Sequence, residues 1–234
     1  GVSFLPDGAL VIGRFATGLG LLRRAGGEVD TLALPDREAG EYVFDLPHVL
    51  PGGHAVLFTS RDMVTALDYQ QNARIKVLSL DSGEQKVLVE GATDARYVES
   101  GHLLYAKEGS LFAIGFDPDR LQTAGREVRV LEGVSHSIHS ASVSRETGAA
   151  QFDVSSDGTL AYLPGSIFPE RIRDVVWISR DGTRERIPVD PMQYLLARLS
   201  PDGGRILLST NYPPRDIWTF ELGREPMQRQ TFDG

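Results

Sequence analysis

Five segments of this 234-residue chain repeat one pattern: a short strand-like run, a turn closed by glycine, and an apolar run. They are VSFLPDGALVIG, HVLPGGHAVLFTS, RYVESGHLLYAK, FDVSSDGTLAYLPG and RLSPDGGRILLST. Their turn glycines, Gly8, Gly53, Gly101, Gly158 and Gly203, lie 45, 48, 57 and 45 residues apart. Such glycines supply the positive φ that a tight hairpin needs, and the flanking runs are β-branched, aromatic or leucine-rich. A third β-rich run follows each hairpin (LGLLRRA, IKVLSL, SLFAIGF, VVWISR, DIWTFEL), then a second turn and a fourth run (VDTLAL, QKVLVE, VRVL, RERIPV, QRQTF). A period near 45 residues is that of a four-stranded propeller blade.

Each unit thus reads as an antiparallel meander with apolar residues on both faces, and such a sheet is stable only when stacked against neighbours. The expected fold class is all-β, a β-propeller of four-stranded antiparallel blades with five repeats visible, at about 1–40, 41–92, 93–146, 147–192 and 193–234. These are expected to form one domain over 1–234. The chain opens on strand-like Val2-Ser3-Phe4 and stops at Thr231-Phe232-Asp233-Gly234, so it reads as a fragment cut at both ends from a propeller of six or more blades. A β-sandwich fits less well, since it would not require this signature at fixed spacing.

Composition narrows the partners. Lys and Arg number 24 against 32 Asp and Glu, a net charge of −8, and the basic residues are scattered, which argues against nucleic acid. No apolar run approaches the roughly 18 to 20 residues of a membrane-spanning helix, so no direct membrane contact is expected. Cysteine is absent, which removes disulfides, thiolate metal sites and cysteine nucleophiles.

The segment LSPDGGRILLST, followed by DIWTFEL and QRQTFDG, resembles the TolB-like (WD-like) propeller repeat. The stretches PHVLPGGHAVLFTS, ARYVESGHLLYAKEGSLFAIGFD and GAAQFDVSSDGTLAYLPG are most similar to propellers C-terminal to bacterial serine/threonine protein kinases. The resemblance implies a non-catalytic protein- or peptide-binding or sensing propeller within a larger kinase, and points to the extracytoplasmic, periplasmic side. The alternative is a substrate-gating propeller of a prolyl-oligopeptidase-like serine peptidase; a stand-alone propeller glycosidase is the third reading. The chain has no kinase phosphate loop, HRD or DFG, and no GxSxG pentapeptide, so it is expected not to be an enzyme and to need no cofactor.

Counting back five residues from each turn glycine gives Ser3, His48, Arg96, Asp153 and Arg198, while the next residues, Phe4, Val49, Tyr97, Val154 and Leu199, are apolar. The first strand of a propeller blade lies nearest the axis, so these polar residues are expected to form a mildly cationic channel ring that binds a ligand or acidic peptide. They can equally serve as hydrogen-bonded fasteners between blades. One carboxylate, Asp153, opposed by two arginines is poor equipment for glycoside hydrolysis, with Glu99 nearer its turn. His136 and His139 lie in a serine-rich run that reads as a loop, and no metal site is expected. Two further loops, Ser60 to Ala73 and Gly165 to Arg173, carry Asp62, Asp68, Tyr69, Gln70, Gln71, Phe168, Pro169 and Arg171 as candidate contact residues. Trp177 and Trp218 occupy equivalent third strands and are expected to pack between blades.

Overall fold

The computed structural model describes residues 1–14, 16–62, 72–136, 147–155, 158–165, 173–210 and 216–232. Among them every regular element is a strand. The chain divides into two compact units, Gly1–Pro169 and Glu170–Gly234.

The first unit holds three complete meanders, each with its strands hydrogen-bonded in chain order. These are β1 (Val2–Phe4), β2 (Leu10–Arg14), β3 (Gly18–Leu22) and β4 (Val29–Ala33); β5 (Val43–Val49), β6 (Ala55–Arg61), β7 (Arg74–Ser79) and β8 (Gln85–Glu90); and β9 (Thr93–Val98), β10 (His102–Lys107), β11 (Ser110–Asp117) and β12 (Gln122–Glu132). A hairpin of β13 (Phe152–Val154) and β14 (Leu160–Tyr162) follows. The second unit contains the hairpin of β15 (Val176–Ile178) and β16 (Arg184–Arg186), then a complete meander of β17 (Tyr194–Leu199), β18 (Arg205–Thr210), β19 (Ile217–Glu221) and β20 (Arg224–Arg229). No sheet among the described residues closes on itself. The fold class is as the repeats predict; among the described residues, repeat four contributes a two-stranded sheet to each unit.

The repeating turn is real at the level of single bonds. Gly8, Gly53, Gly101, Gly158 and Gly203 all have φ between +70° and +86°. Each donates its N–H to the carbonyl three residues earlier, from Leu5, Leu50, Val98, Ser155 and Ser200, at 2.9 to 3.0 Å.

Alternation along the second strands stacks the meanders. On β6, Val56 and Phe58 join Val11, Leu19 and Leu21 of repeat one, while Ala55 and Leu57 face Leu103 and Tyr105 of repeat three. On β10, Leu103 and Tyr105 face back, and Leu104 and Ala106 face Ala150 and Phe152 of repeat four. Strands buried on both faces are what radial stacking demands. Each fully buried Leu or Phe contributes about 1.5 to 3 kcal/mol by leaving water. Buried ion pairs join the apolar layers: Lys76 to Glu41 at 2.6 Å, with its ammonium over the rings of Phe44 and Phe58, and Arg61 to Asp45 at 3.1 Å.

In the second unit, Ile206, Leu208 and Phe220 pack with Ile187, Val189 and Tyr194. Trp218 packs at the edge of this cluster, as expected, whereas Trp177 is 37% exposed on the three-residue strand β15. The expectation of inter-blade packing therefore fails for Trp177: its strand is exposed at all three residues, so its ring has no apolar layer to enter.

Candidate functional site

Four of the five predicted polar residues belong to the first unit and sit on the first strands β1, β5, β9 and β13. In two of these strands a β-bulge immediately precedes the polar residue. Leu46-Pro47 of β5 oppose a single residue of β6, and Asp94-Ala95 of β9 oppose a single residue of β10. The first bulge residue is left-handed in both, Leu46 at φ +54° and Asp94 at φ +52°. A bulge re-aims the side chains that follow it, and here those are His48 and Arg96.

Asp94 is fully buried, and its carboxylate organises the cluster. Its Oδ1 accepts from Arg96 Nη1 at 2.5 Å, and its Oδ2 accepts from the Ala150 N–H at 2.9 Å, which ties repeat three to repeat four. Its own N–H donates to Thr59 Oγ1 on β6 at 3.0 Å. Burial pushes the Asp94 carboxyl above the ordinary carboxylate range, and the Arg96 guanidinium and the Ala150 N–H oppose that push. The Arg96 guanidinium also lies 5.7 Å from the centre of the Phe152 ring.

Burial lowers the His48 imidazole to about 4, assisted by the positive charge of Arg96 and resisted by Asp153. It is therefore neutral at pH 7. Asp153 is exposed, and its Oδ1 accepts from the N–H of the next residue, Val154. Ser3 Oγ accepts from the Val49 N–H at 3.0 Å and fastens repeat one to repeat two. Ser3, His48, Arg96 and Asp153 are thus brought into one neighbourhood. Arg198 lies in the second unit, exposed, with Nη1 donating to the Ala197 carbonyl at 3.0 Å.

The structure gives the charge state of two members of the ring expected from the sequence, Arg96 and His48. Arg96 is committed to a buried carboxylate and His48 carries no charge, so the positive charge counted there is already compensated. Sequence reasoning missed Asp94, two positions before Arg96; the only available signal was an acid at the foot of an inner strand.

Beside the cluster, at the turn ends of the same four strands, lies a cavity of about 460 Å³. Its walls are Phe4, Leu5 and Pro6 from the first turn, Val49 to Gly52 from the second, Tyr97 to Glu99 from the third, and Val154 and Ser155 from the fourth, with His48 also contributing. Four of these walls, Phe4, Val49, Tyr97 and Val154, occupy the apolar position that follows the polar one in each repeat. One turn from each of four repeats therefore builds one concave surface that is mostly apolar, with the Glu99 carboxylate at its edge. Such a surface can take an apolar side chain and offer a neutral imidazole as hydrogen-bond donor or acceptor.

Of the other candidates, His136 is buried at 2% exposure, its two ring nitrogens have no hydrogen-bond partner among the described residues, and burial lowers it to about 4. His139 lies outside the described residues. So do Asp68, Tyr69, Gln70, Gln71, Phe168, Pro169 and Arg171, while Asp62 is described at the end of β6.

No family model matches the chain, and no curated protein matches it. Solved structures do. TolB from Acinetobacter baumannii matches 100% of the chain at 16% identity with a TM-score of 0.45, and the chain covers 54% of it, so it spans about half the length of that protein. A luciferin-regenerating enzyme matches 90% of the chain and 70% of its own at 10% identity with a TM-score of 0.51. XC5397, a gluconolactonase from Xanthomonas campestris, matches 98% of the chain and 71% of its own at 12% identity with a TM-score of 0.49. The likeness at a TM-score of 0.51 places the chain among β-propellers. It also corrects the expectation that the chain is not an enzyme: a structure named as an enzyme carries this architecture, so missing kinase and GxSxG motifs remove only those two chemistries.

Proposed function

We propose that this chain binds a protein or peptide segment in the cavity at the turn ends of β1, β5, β9 and β13, as the interaction region of a larger bacterial serine/threonine kinase. The observation that carries the binding reading is the construction of the cavity. Equivalent positions of four successive repeats supply its apolar walls, while buried bonds from Ser3 and Asp94 hold those repeats in register. A surface preorganised in this way binds a segment without the entropy cost of ordering its own walls. The kinase association is supported by the resemblance of repeats two to four to kinase-attached propellers.

The test is selection of a random dodecapeptide phage library on the whole chain, repeated on Val49→Asp and Tyr97→Asp, both of which place a charge in the wall. Selected peptides are expected to bind the parent chain and to lose about tenfold or more in affinity on either variant, with far-ultraviolet circular dichroism unchanged. Peptides that bind both variants as well as the parent would overturn the reading.

A further inference from the structure

Charge compensation beneath the cavity says what kind of segment fits it. The only guanidinium in the cluster, that of Arg96, is held by the fully buried Asp94 carboxylate, and the imidazole facing the cavity, His48, is uncharged at pH 7. Two carboxylates remain. Glu99 forms part of the wall, and Asp153 lies on β13 immediately before the wall residues Val154 and Ser155. Among the described residues neither has a cationic partner, and the hydrogen bond to Asp153 comes from its neighbour's N–H. The uncompensated charge at this end of the unit is therefore negative, next to an apolar wall containing Phe4, Val49 and Tyr97.

We propose that the cavity takes an apolar peptide segment carrying a lysine or arginine, the apolar side chain seated against Phe4, Val49 and Tyr97 and the cation paired with Glu99 and Asp153. This rests on the cavity being a peptide site. The chain's net charge of −8 acts in the same direction by attracting cationic partners before contact. An acidic segment, the occupant suggested by two free arginines, would face both carboxylates with Arg96 already engaged. The pairing carboxylates are solvent-accessible, so they discriminate among segments more than they add to affinity, and salt weakens them.

The experiment scores the selected dodecapeptides by composition and measures one of them by fluorescence anisotropy against the whole chain, with its basic residue kept, or replaced by Gln or Glu. Lysine and arginine are expected to be enriched beside apolar residues, with the basic peptide binding about three- to tenfold tighter than its Gln form. That advantage should vanish in Glu99→Gln/Asp153→Asn, which should bind the Gln form as the parent does, and should shrink at 0.5 M salt. Enrichment of Asp or Glu, a charge-blind selection, or an advantage that survives the double variant would overturn the basic-segment proposal while leaving the cavity in place if Tyr97→Asp still abolishes binding. Selected peptides indifferent to Tyr97→Asp, or no enrichment at all, would overturn the cavity reading and this proposal with it.

Discussion

Repeats two and four close their first hairpins at an equivalent glycine, Gly53 and Gly158, both left-handed and both donating to the carbonyl three residues earlier, yet their sheets differ. Repeat two is a four-stranded meander whose second strand, AVLFTSR, is buried at all seven residues. In repeat four the corresponding strand, LAY, is three residues long, half-buried or exposed, and belongs to a two-stranded sheet. The turn makes the hairpin in both. The meander additionally needs a second strand long enough to pair on both edges; in repeat four the backbone just past β14 instead pairs with the end of repeat three, the Ser135 N–H donating to the Leu163 carbonyl at 2.9 Å and the Gly165 N–H to the Gly133 carbonyl at 2.8 Å. Turn chemistry therefore sets the period, while strand length and two-sided burial set the sheet.

The largest difference between the two repeats is expected in their cores. Phe58 is 1% exposed, its ring 4.6 Å from that of Phe44, and Phe58→Ala should cost about 3 to 5 kcal/mol in denaturant unfolding. Tyr162 of repeat four is 42% exposed, and Tyr162→Ala should cost less than about 1 kcal/mol. Equal losses would mean that the stacking described here does not distinguish the repeats.

The next effect concerns the polar cluster. Arg96→Met leaves Asp94 buried without its guanidinium and should cost about 2 to 4 kcal/mol. Adding Asp94→Asn should restore most of it, since asparagine tolerates the left-handed backbone and its side-chain oxygen still accepts from Ala150. Failure of the second substitution to rescue would show that the Met side chain itself does not fit.

Acid provides a third comparison. His48 and His136 are lowered to about 4 in the folded chain, against 6.5 for an unburied imidazole. The unfolded chain thus binds more protons between those values, so folded stability should fall as pH drops from about 6.5 to 4, by about 2 to 3 kcal/mol for each histidine. Asp94 acts in the opposite direction, because its raised carboxyl takes a proton more readily when folded. A His48→Gln/His136→Gln variant should flatten the profile in melting-temperature measurements; an unchanged slope would assign it to other groups.

The smallest effect is at the turns themselves. Gly53→Ala and Gly158→Ala both force alanine into positive φ, but a Cβ at Gly53 would lie 2.6 Å from Pro6 Cδ, while nothing lies within 4 Å of one at Gly158. Gly158→Ala should cost about 1 to 2 kcal/mol, and Gly53→Ala more. The reverse ranking in thermal unfolding would remove the close approach of the first two turns.

Much of this was legible in the sequence because period-two burial and turn glycines act locally. The five turns, the strand order within each complete repeat and the four polar positions of the first unit follow directly from spacing. The cavity walls were half legible: Phe4, Val49, Tyr97 and Val154 stood out as a recurring apolar position, but only stacking brings them around one space. Asp94 was not legible, because its importance depends on a bulge and a left-handed residue that Asp tolerates but does not announce. Counting charges by repeat position likewise cannot show that the carboxylate paired with Arg96 arrives from two residues upstream.

The convergence of His48, Arg96 and Asp153 beneath one cavity is tested most directly by the His48 imidazole pKa, followed by NMR in the parent chain and in Arg96→Met. A value of about 4 is expected in the parent, with a rise toward 6.5 when the neighbouring positive charge is removed. A parent value at 6.5 that does not move in Arg96→Met would place His48 in water, away from Arg96, and contradict the assembled site.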